Sequence, residues 1–487
     1  MKLIFVGNDY KYEIEGVMKL FIPAELFDIT YTDNAPDDLT GDCALIHKSD
    51  DELSVKVSLS GKRCEKIKPL EINDKTDDNE CELILSKLLF ECMSTLTGIT
   101  PEWGVITGVR PVKQVNILIK NGMSDDEIRQ YMKTHYYCSD KKTDIALRTA
   151  HTQKDILDSL DKRSFGLYVS VPFCPTRCSY CSFVSTAVES AKGLIPQYVS
   201  LLCREIEYTA DICKSIGIYP DSIYFGGGTP TTLSPSQLEA VMGKISDTFD
   251  LSRLREYTVE AGRPDTITRE KLETIKRMGA GRVSINPQSL SEKVLEAIGR
   301  KHTVDEFFAA LDTAQSVGFD CINTDIIAGL PGDDILSFKN TVDTLVSKNL
   351  DNITVHTLSI KRAARLNHVG TRTALTNPAG EMIDYATNKL LSCGYEPYYL
   401  YRQKNMLENQ ENIGWSKKGK ESLYNIYIME EVQTIIALGA GGSTKLVDKD
   451  KGRLTRIFNY KYPNEYIKGF DEMLDRKNGV KSFYEEK

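Results

Sequence analysis

The chain has 487 residues, 41% hydrophobic and 27% charged, with a formal net charge of −8. That length exceeds one core of ordinary size, so two or three domains are expected, and the acidic balance argues against a large nucleic-acid footprint. No window approaches roughly 18 uninterrupted apolar residues, so no membrane-spanning helix is predicted. The opening "MKLIFVGNDY" reads as a first β-strand rather than a signal peptide, and the protein is expected in the cytoplasm.

Residues 1–160 are expected to form an α+β domain that carries no readable catalytic motif. The runs "KLIFV" and "CALIHK" predict strands, and "LSVKVSLSGKRCEKI" predicts a hairpin. The segment "ELILSKLLFECMSTLTG" predicts a helix closed by a glycine able to take a left-handed cap. "GVRPVK" at 108–113 sets a proline beside Arg and Lys, a turn or a contact to an anionic ligand.

From Tyr168 the texture changes to short β-rich runs, each followed by a helical pattern. The runs are "LYVSV", "SIYFG", "YTVEA", "RVSIN", "CINTDIIAG" and "NITVHTL". Ser234, Pro235 and Gln237 read as a capping-box helix start, and Ser289 with Glu292 as another. Strand–helix alternation without hairpins predicts parallel strands joined by right-handed crossovers. Six such units fall short of an eight-fold barrel, so residues 161–375 are expected to form an open, partial (β/α)6 barrel. Its chemistry belongs on the loops at the carboxyl ends of the strands. Residues 376–487 are expected to be a C-terminal α/β extension that closes it.

The unusual residues do follow the strands. Of twelve cysteines, nine are scattered in mostly apolar settings and read as buried small hydrophobes. Cys174, Cys178 and Cys181 stand apart, spaced C-x3-C-x2-C directly after the first run. Zinc would require a fourth ligand from elsewhere, and none of the six histidines lies in the loop. The alternative is a [4Fe–4S] cluster with one iron left open. After the second run comes "FGGGTPT", whose glycines permit close backbone approach. Glu260 ends the third run, with Arg263 close behind as a candidate partner for a carboxylate. Gln288, Arg300 and Asp325 follow in order, each alone a loop polar group or a cap.

The cysteine spacing after a first strand resembles the signature of radical S-adenosylmethionine (SAM) enzymes. That resemblance implies a [4Fe–4S] cluster on Cys174, Cys178 and Cys181, whose open iron is chelated by SAM. It further implies SAM contacts at Tyr168, Tyr180, Gly227, Gly228, Thr229, Glu260, Gln288, Arg300 and Asp325. Together "YVSVPFCPTRCSYCSF", "IYFGGGTPT", "VSINPQSLSEKVLEAIGRKHT", "NTDIIAGLPGD", "ENIGWS" and "ALGAGGSTK" are similar to the oxygen-independent coproporphyrinogen III oxidase (coproporphyrinogen dehydrogenase) family. The implied activity is oxidative decarboxylation of porphyrinogen propionates to vinyls in haem biosynthesis, with Tyr168, Glu260 and Arg263 at the reacting centre. The implied partners are the porphyrinogen and a low-potential electron donor such as flavodoxin or ferredoxin, with no membrane or nucleic acid and a monomeric chain. Arg263, Lys361, Arg362 and Arg402 are candidates for the propionates, and the aromatics of "GYEPYYLYRQKN" and Trp415 either stack on a macrocycle or pack a core.

Two departures narrow the family. Phe183 stands where the major branch has a further cysteine, a feature shared with haem chaperones and divergent dehydrogenases. The N-terminal extension with "GVRP" resembles a divergent dehydrogenase branch, and this favours the enzyme over a haem-binding chaperone. An RNA-modifying relative, suggested by "GRPD", is disfavoured by the acidic charge.

Overall fold

The computed structural model describes residues 1–23, 25–36, 38–70, 77–183, 185–359 and 378–486. The chain divides into two compact units, Met1–Leu147 with Arg402–Asn409, and Arg148–Tyr401 with Gln410–Lys487.

The first unit is built on five strands: β1 (Lys2–Val6), β2 (Asp28–Thr32), β3 (Cys43–Lys48), β4 (Glu52–Leu59) and β5 (Lys62–Pro69). They lie in the order β2-β1-β3-β4-β5, parallel around β1 and antiparallel from β3 onward. The β4–β5 pair is the hairpin expected from the sequence. The helix Asp78–Thr97 lays Leu85, Leu89, Cys92 and Met93 on this sheet and stops at Gly98, whose φ of 73° is left-handed. Arg110 precedes Pro111, which opens the helix Pro111–Lys120.

The second unit carries β6 (Ser164–Val171), β7 (Tyr219–Gly227), β8 (Glu256–Glu260), β9 (Arg282–Ser284), β10 (Cys321–Ala328) and β11 (Asn352–Thr357). All six pair in parallel with their neighbours in chain order, as strand–helix alternation demands. On β6, Phe165, Leu167, Val169 and Val171 join the outer core shared with the helices, so Tyr168 and Ser170 take the inner face. The helix Ile195–Ile216 covers that core with Tyr198, Leu202, Ile206 and Cys213 before Gly217 ends it.

The C-terminal part, expected over 376–487 as an α/β extension, continues the barrel sheet itself. Its strands β12 (Glu396–Tyr401), β13 (Asn412–Ser416), β14 (Ile435–Leu438), β15 (Ser443–Asp448) and β16 (Arg453–Phe458) extend the barrel sheet at both edges. β13 pairs antiparallel with β11, and β14 pairs parallel with β6, giving eleven strands in one sheet among the described residues. Main-chain hydrogen bonding satisfies edges that would otherwise be exposed.

Ser234 and Gln237 form the expected capping box. Ser289 and Glu292 do not. The Ser289 hydroxyl accepts the Ser291 N–H at 3.3 Å, and Glu292 accepts the Val304 N–H at 2.7 Å. Of the nine scattered cysteines, Cys43, Cys81, Cys92, Cys138, Cys213 and Cys321 are buried as expected, whereas Cys393 is exposed.

Candidate active site at the carboxyl ends of the strands

The cysteine loop leaves β6 and is closed by a two-residue parallel pairing of Phe173–Cys174 with Thr186–Ala187. Cys178 is buried, and Cys174 and Cys181 are partly so. Burial pushes the Cys181 thiol up from its usual pKa. The Ser179 N–H donates to the Ile298 carbonyl at 3.0 Å, and the Thr229 hydroxyl donates to Cys174 Sγ at 3.5 Å. Arg263 is 3% exposed and clamps the loop from behind. Its Nη1 donates to the Thr176 carbonyl and hydroxyl at 3.2 and 3.0 Å and lies 3.8 Å from Cys178 Sγ. Its Nε and Nη2 donate to the two Asp265 oxygens at 2.9 and 2.7 Å.

The glycine-rich end of β7 packs directly on this loop. Gly228 N–H donates to the Val171 carbonyl at 2.8 Å and Thr229 N–H to Phe173 at 2.7 Å. A Cβ on Gly228 would lie 2.5 Å from the Phe173 carbonyl oxygen, so only glycine fits there. Gly227 has a φ of 105°, which side chains rarely adopt.

Across the inner face, Tyr168 and Tyr224 are register neighbours on β6 and β7. Tyr424, from the helix Leu423–Glu430, stacks on Tyr224 at 4.4 Å and on Tyr168 at 6.1 Å. The Tyr224 hydroxyl donates to Glu260 Oε1 at 2.5 Å. Burial pushes the Glu260 carboxyl up to about 7, with the Asp325 charge adding to the rise and the Tyr224 hydrogen bond opposing it.

Asp325 is held the other way. Burial would raise its pKa, but His356 and hydrogen bonds bring it below the usual carboxylate value. Asn286 donates to Oδ2 at 2.9 Å, Asn323 to Oδ1 at 2.8 Å, and His356 Nε2 stands 3.8 Å from Oδ2. Gln288 sits beside it with a φ of 68° and bridges β10 through Asp325 and Ile327. A non-glycine residue in that region carries strain that the surrounding hydrogen bonds must hold. Arg300 donates to the Gly262 carbonyl at 3.0 Å and to the Tyr180 hydroxyl at 3.3 Å.

Among the described residues, no three His, Cys, Asp or Glu side chains converge as a single-ion site would require. A cluster holds its thiolates farther apart than a single ion does, each on a different iron. The radical SAM superfamily pattern matches residues 168–345. The Bacillus subtilis (strain 168) oxygen-independent coproporphyrinogen-III oxidase-like protein HemZ is 34% identical over 473 residues, 95% of this chain and 94% of its own.

The chain belongs to this oxidase-like family of radical SAM proteins. Radical SAM proteins use a [4Fe–4S] cluster and SAM. The heme chaperone HemW of the same Bacillus subtilis strain is 29% identical over 291 residues, 58% of this chain and 72% of its own. The structure of Escherichia coli coproporphyrinogen III oxidase (HemN), a radical SAM enzyme, aligns with a TM-score of 0.53 at 20% identity, covering 67% of this chain and 73% of that one. This radical SAM chain offers a donor set that fits the cluster: three thiols in one loop, a hydroxyl on one sulfur and a buried guanidinium beside another.

Other sequence expectations fare differently. Arg402 falls in the N-terminal unit, where its guanidinium donates to the carbonyls of Ile106 and Asn409, so it is removed from the propionate candidates. Arg263 is spent on Asp265 and the cysteine loop and offers no cation to a substrate. Lys361 and Arg362 lie outside the described residues. Tyr398 and Trp415 are fully buried and Tyr399 nearly so, which makes these aromatics core packing rather than a macrocycle platform. Sequence reasoning passed over Tyr224, Tyr424, Asn286, Asn323, His356 and Asp265. The alternation in "SIYFG" and "CINTDIIAG" puts Tyr224 and Asn323 on inward positions with Asp325, a signal that could have found two of the missed residues.

Proposed function

We propose that the protein is an oxygen-independent coproporphyrinogen III dehydrogenase, which converts propionates of its substrate to vinyls with loss of carbon dioxide. The observation that carries this reading is similarity to the oxidase-like protein along 95% of the chain, N-terminal unit included, against 58% for the chaperone match. In this reading Cys174, Cys178 and Cys181 hold the cluster. Bound there, the cluster and SAM supply a carbon-centred radical able to take a hydrogen atom from a propionate side chain.

The chain's own residues orient and exclude. Arg263 and Asp265 fix the cysteine loop, and Gly227, Gly228 and Thr229 let backbone approach the cofactor. Glu260, Gln288 and Asp325 offer acceptors to its amine and hydroxyls, while Arg300 and Tyr180 wall the loop side. Tyr168, Tyr224 and Tyr424 form an aromatic wall that keeps water from the interior. A low-potential donor of flavodoxin or ferredoxin type delivers the reducing electron.

The test is anaerobic. Reconstituted protein is given SAM, a strong reductant and coproporphyrinogen III, and 5′-deoxyadenosine and tetrapyrrole mass are followed together. Deoxyadenosine with stepwise loss of two carboxyl groups is expected. Deoxyadenosine with an unchanged tetrapyrrole would overturn the substrate, and tight stoichiometric haem binding without turnover would favour the chaperone reading that the 29% match supports.

A further inference from the structure

A fully buried ion pair joins the helix that covers β6 to the last helix of the chain, outside the residues assigned above. Lys477 Nζ lies 3.0 Å from Glu205 Oε1, and both side chains are 0% exposed. Glu205 comes from the helix Ile195–Ile216 and Lys477 from the helix Phe470–Glu485. The carboxylate receives three further donors: Asn459 Nδ2 at 2.8 Å, the Tyr466 hydroxyl at 2.7 Å and the Gly439 N–H at 2.8 Å. Lys477 also donates to the Ala437 carbonyl, and Asn459 to that of Gly439. The network therefore grips one short segment, the end of β14 and the "GAGG" turn that follows it.

That turn in turn grips the end of β6. Ser170 Oγ donates to the Ala440 carbonyl at 2.7 Å. The Tyr198 hydroxyl donates to the Ser170 carbonyl and accepts the Ala440 N–H, each at 2.9 Å. A Cβ on Gly439 would fall 2.5 Å from the Ser170 carbonyl oxygen, and one on Gly227 would fall 2.8 Å from Ser170 Oγ. Ser170 is thus clamped between two glycine segments, four residues before Cys174.

We propose that Glu205 and Lys477 are positioning residues for the SAM-binding rim, setting through the turn at Gly439 the register of the β6 end against the glycine strand at Gly227. A need for packing alone would not select this pair. Apolar side chains of similar volume usually replace a buried ion pair at no loss of stability. What apolar side chains cannot do is accept the Gly439 N–H and hold Asn459 and Tyr466 on the turn.

The test replaces the pair as a unit, so that no lone charge is buried. Glu205→Leu/Lys477→Met is expected to fold and to take up iron and sulfide, yet to bind SAM about tenfold more weakly, the usual effect of losing an outer-shell support. The electron paramagnetic resonance signal of its reduced cluster should shift less on SAM addition. Glu205→Gln/Lys477→Met, which keeps an acceptor for Gly439, should recover most of the affinity and carries the test if the first variant does not fold. Wild-type SAM affinity and spectral shift in a folded variant would overturn the proposal. So would loss of melting temperature and iron alone, with normal SAM binding by the loaded fraction.

Discussion

Arg263→Met is expected to destabilise the barrel unit by about 3 kcal/mol, because it strands a carboxylate behind the cysteine loop. The two Asp265 oxygens receive Arg263 Nε and Nη2 at 2.9 and 2.7 Å, and the side chains are 4% and 19% exposed. Little solvent screening survives there. Two charge-assisted bonds at roughly 1.5–3 kcal/mol each set a ceiling of about 6 kcal/mol. The field of Arg300 and the residual solvent access of Asp265 bring the figure toward half of that. At roughly 2 °C per kcal/mol for a unit of this size, the melting temperature should fall by about 6 °C.

The pH dependence has a fixed sign. Burial would raise the Asp265 pKa, but Arg263 outweighs it and holds the carboxyl below its usual value. The stabilisation is therefore present above the unfolded value of about 3.9 and is lost as pH falls through the folded one. Thermal unfolding of cluster-free protein from about pH 2 to pH 8, which spans both values, reads this directly, and adding Asp265→Leu should recover most of the loss. An unchanged melting temperature in Arg263→Met, or a gap from wild type that widens in acid, would refute the reasoning.

Glu260 has the opposite sign. Its carboxyl is raised to about 7, so between an unfolded value near 4.3 and that point the folded state keeps a proton the unfolded chain has lost. Stability from this group is full below that window and declines through it as pH rises, and Glu260→Gln should gain on wild type in melting scans from pH 5 to 7.5. Gly228→Ala drives a Cβ onto the Phe173 backbone, an overpacking worth about 1–3 kcal/mol, and reconstituted iron content should drop with it. Phe183, 65% exposed, should tolerate serine within about 0.5 kcal/mol and with full cluster content, as read by iron assay and melting.

The parallel core was readable because its strands are short and outwardly apolar and alternate with helical patterns, all local properties. The cysteine loop was equally plain, since its spacing is a chain property. What escaped depends on where distant segments go. Tyr424 reaches the site from more than 250 residues beyond Tyr168, and nothing local marks it. Arg402 looked like a substrate cation among aromatics, but the segment Arg402–Asn409 packs with the N-terminal unit. The strain at Gln288 is invisible in sequence because it is imposed by β10. Ser289 failed as a cap because the helix starts at Glu292 with Ser291 in the cap position, which leaves Ser289 two residues outside it, bonded to the Ser291 N–H.

The most direct test of the central claim is electron paramagnetic resonance of the reduced, reconstituted protein with and without SAM. Three thiolates leaving one iron open predict a [4Fe–4S] signal that changes on SAM addition and is lost in Cys178→Ala. A cluster signal indifferent to SAM, or one that survives Cys178→Ala unchanged, would contradict it.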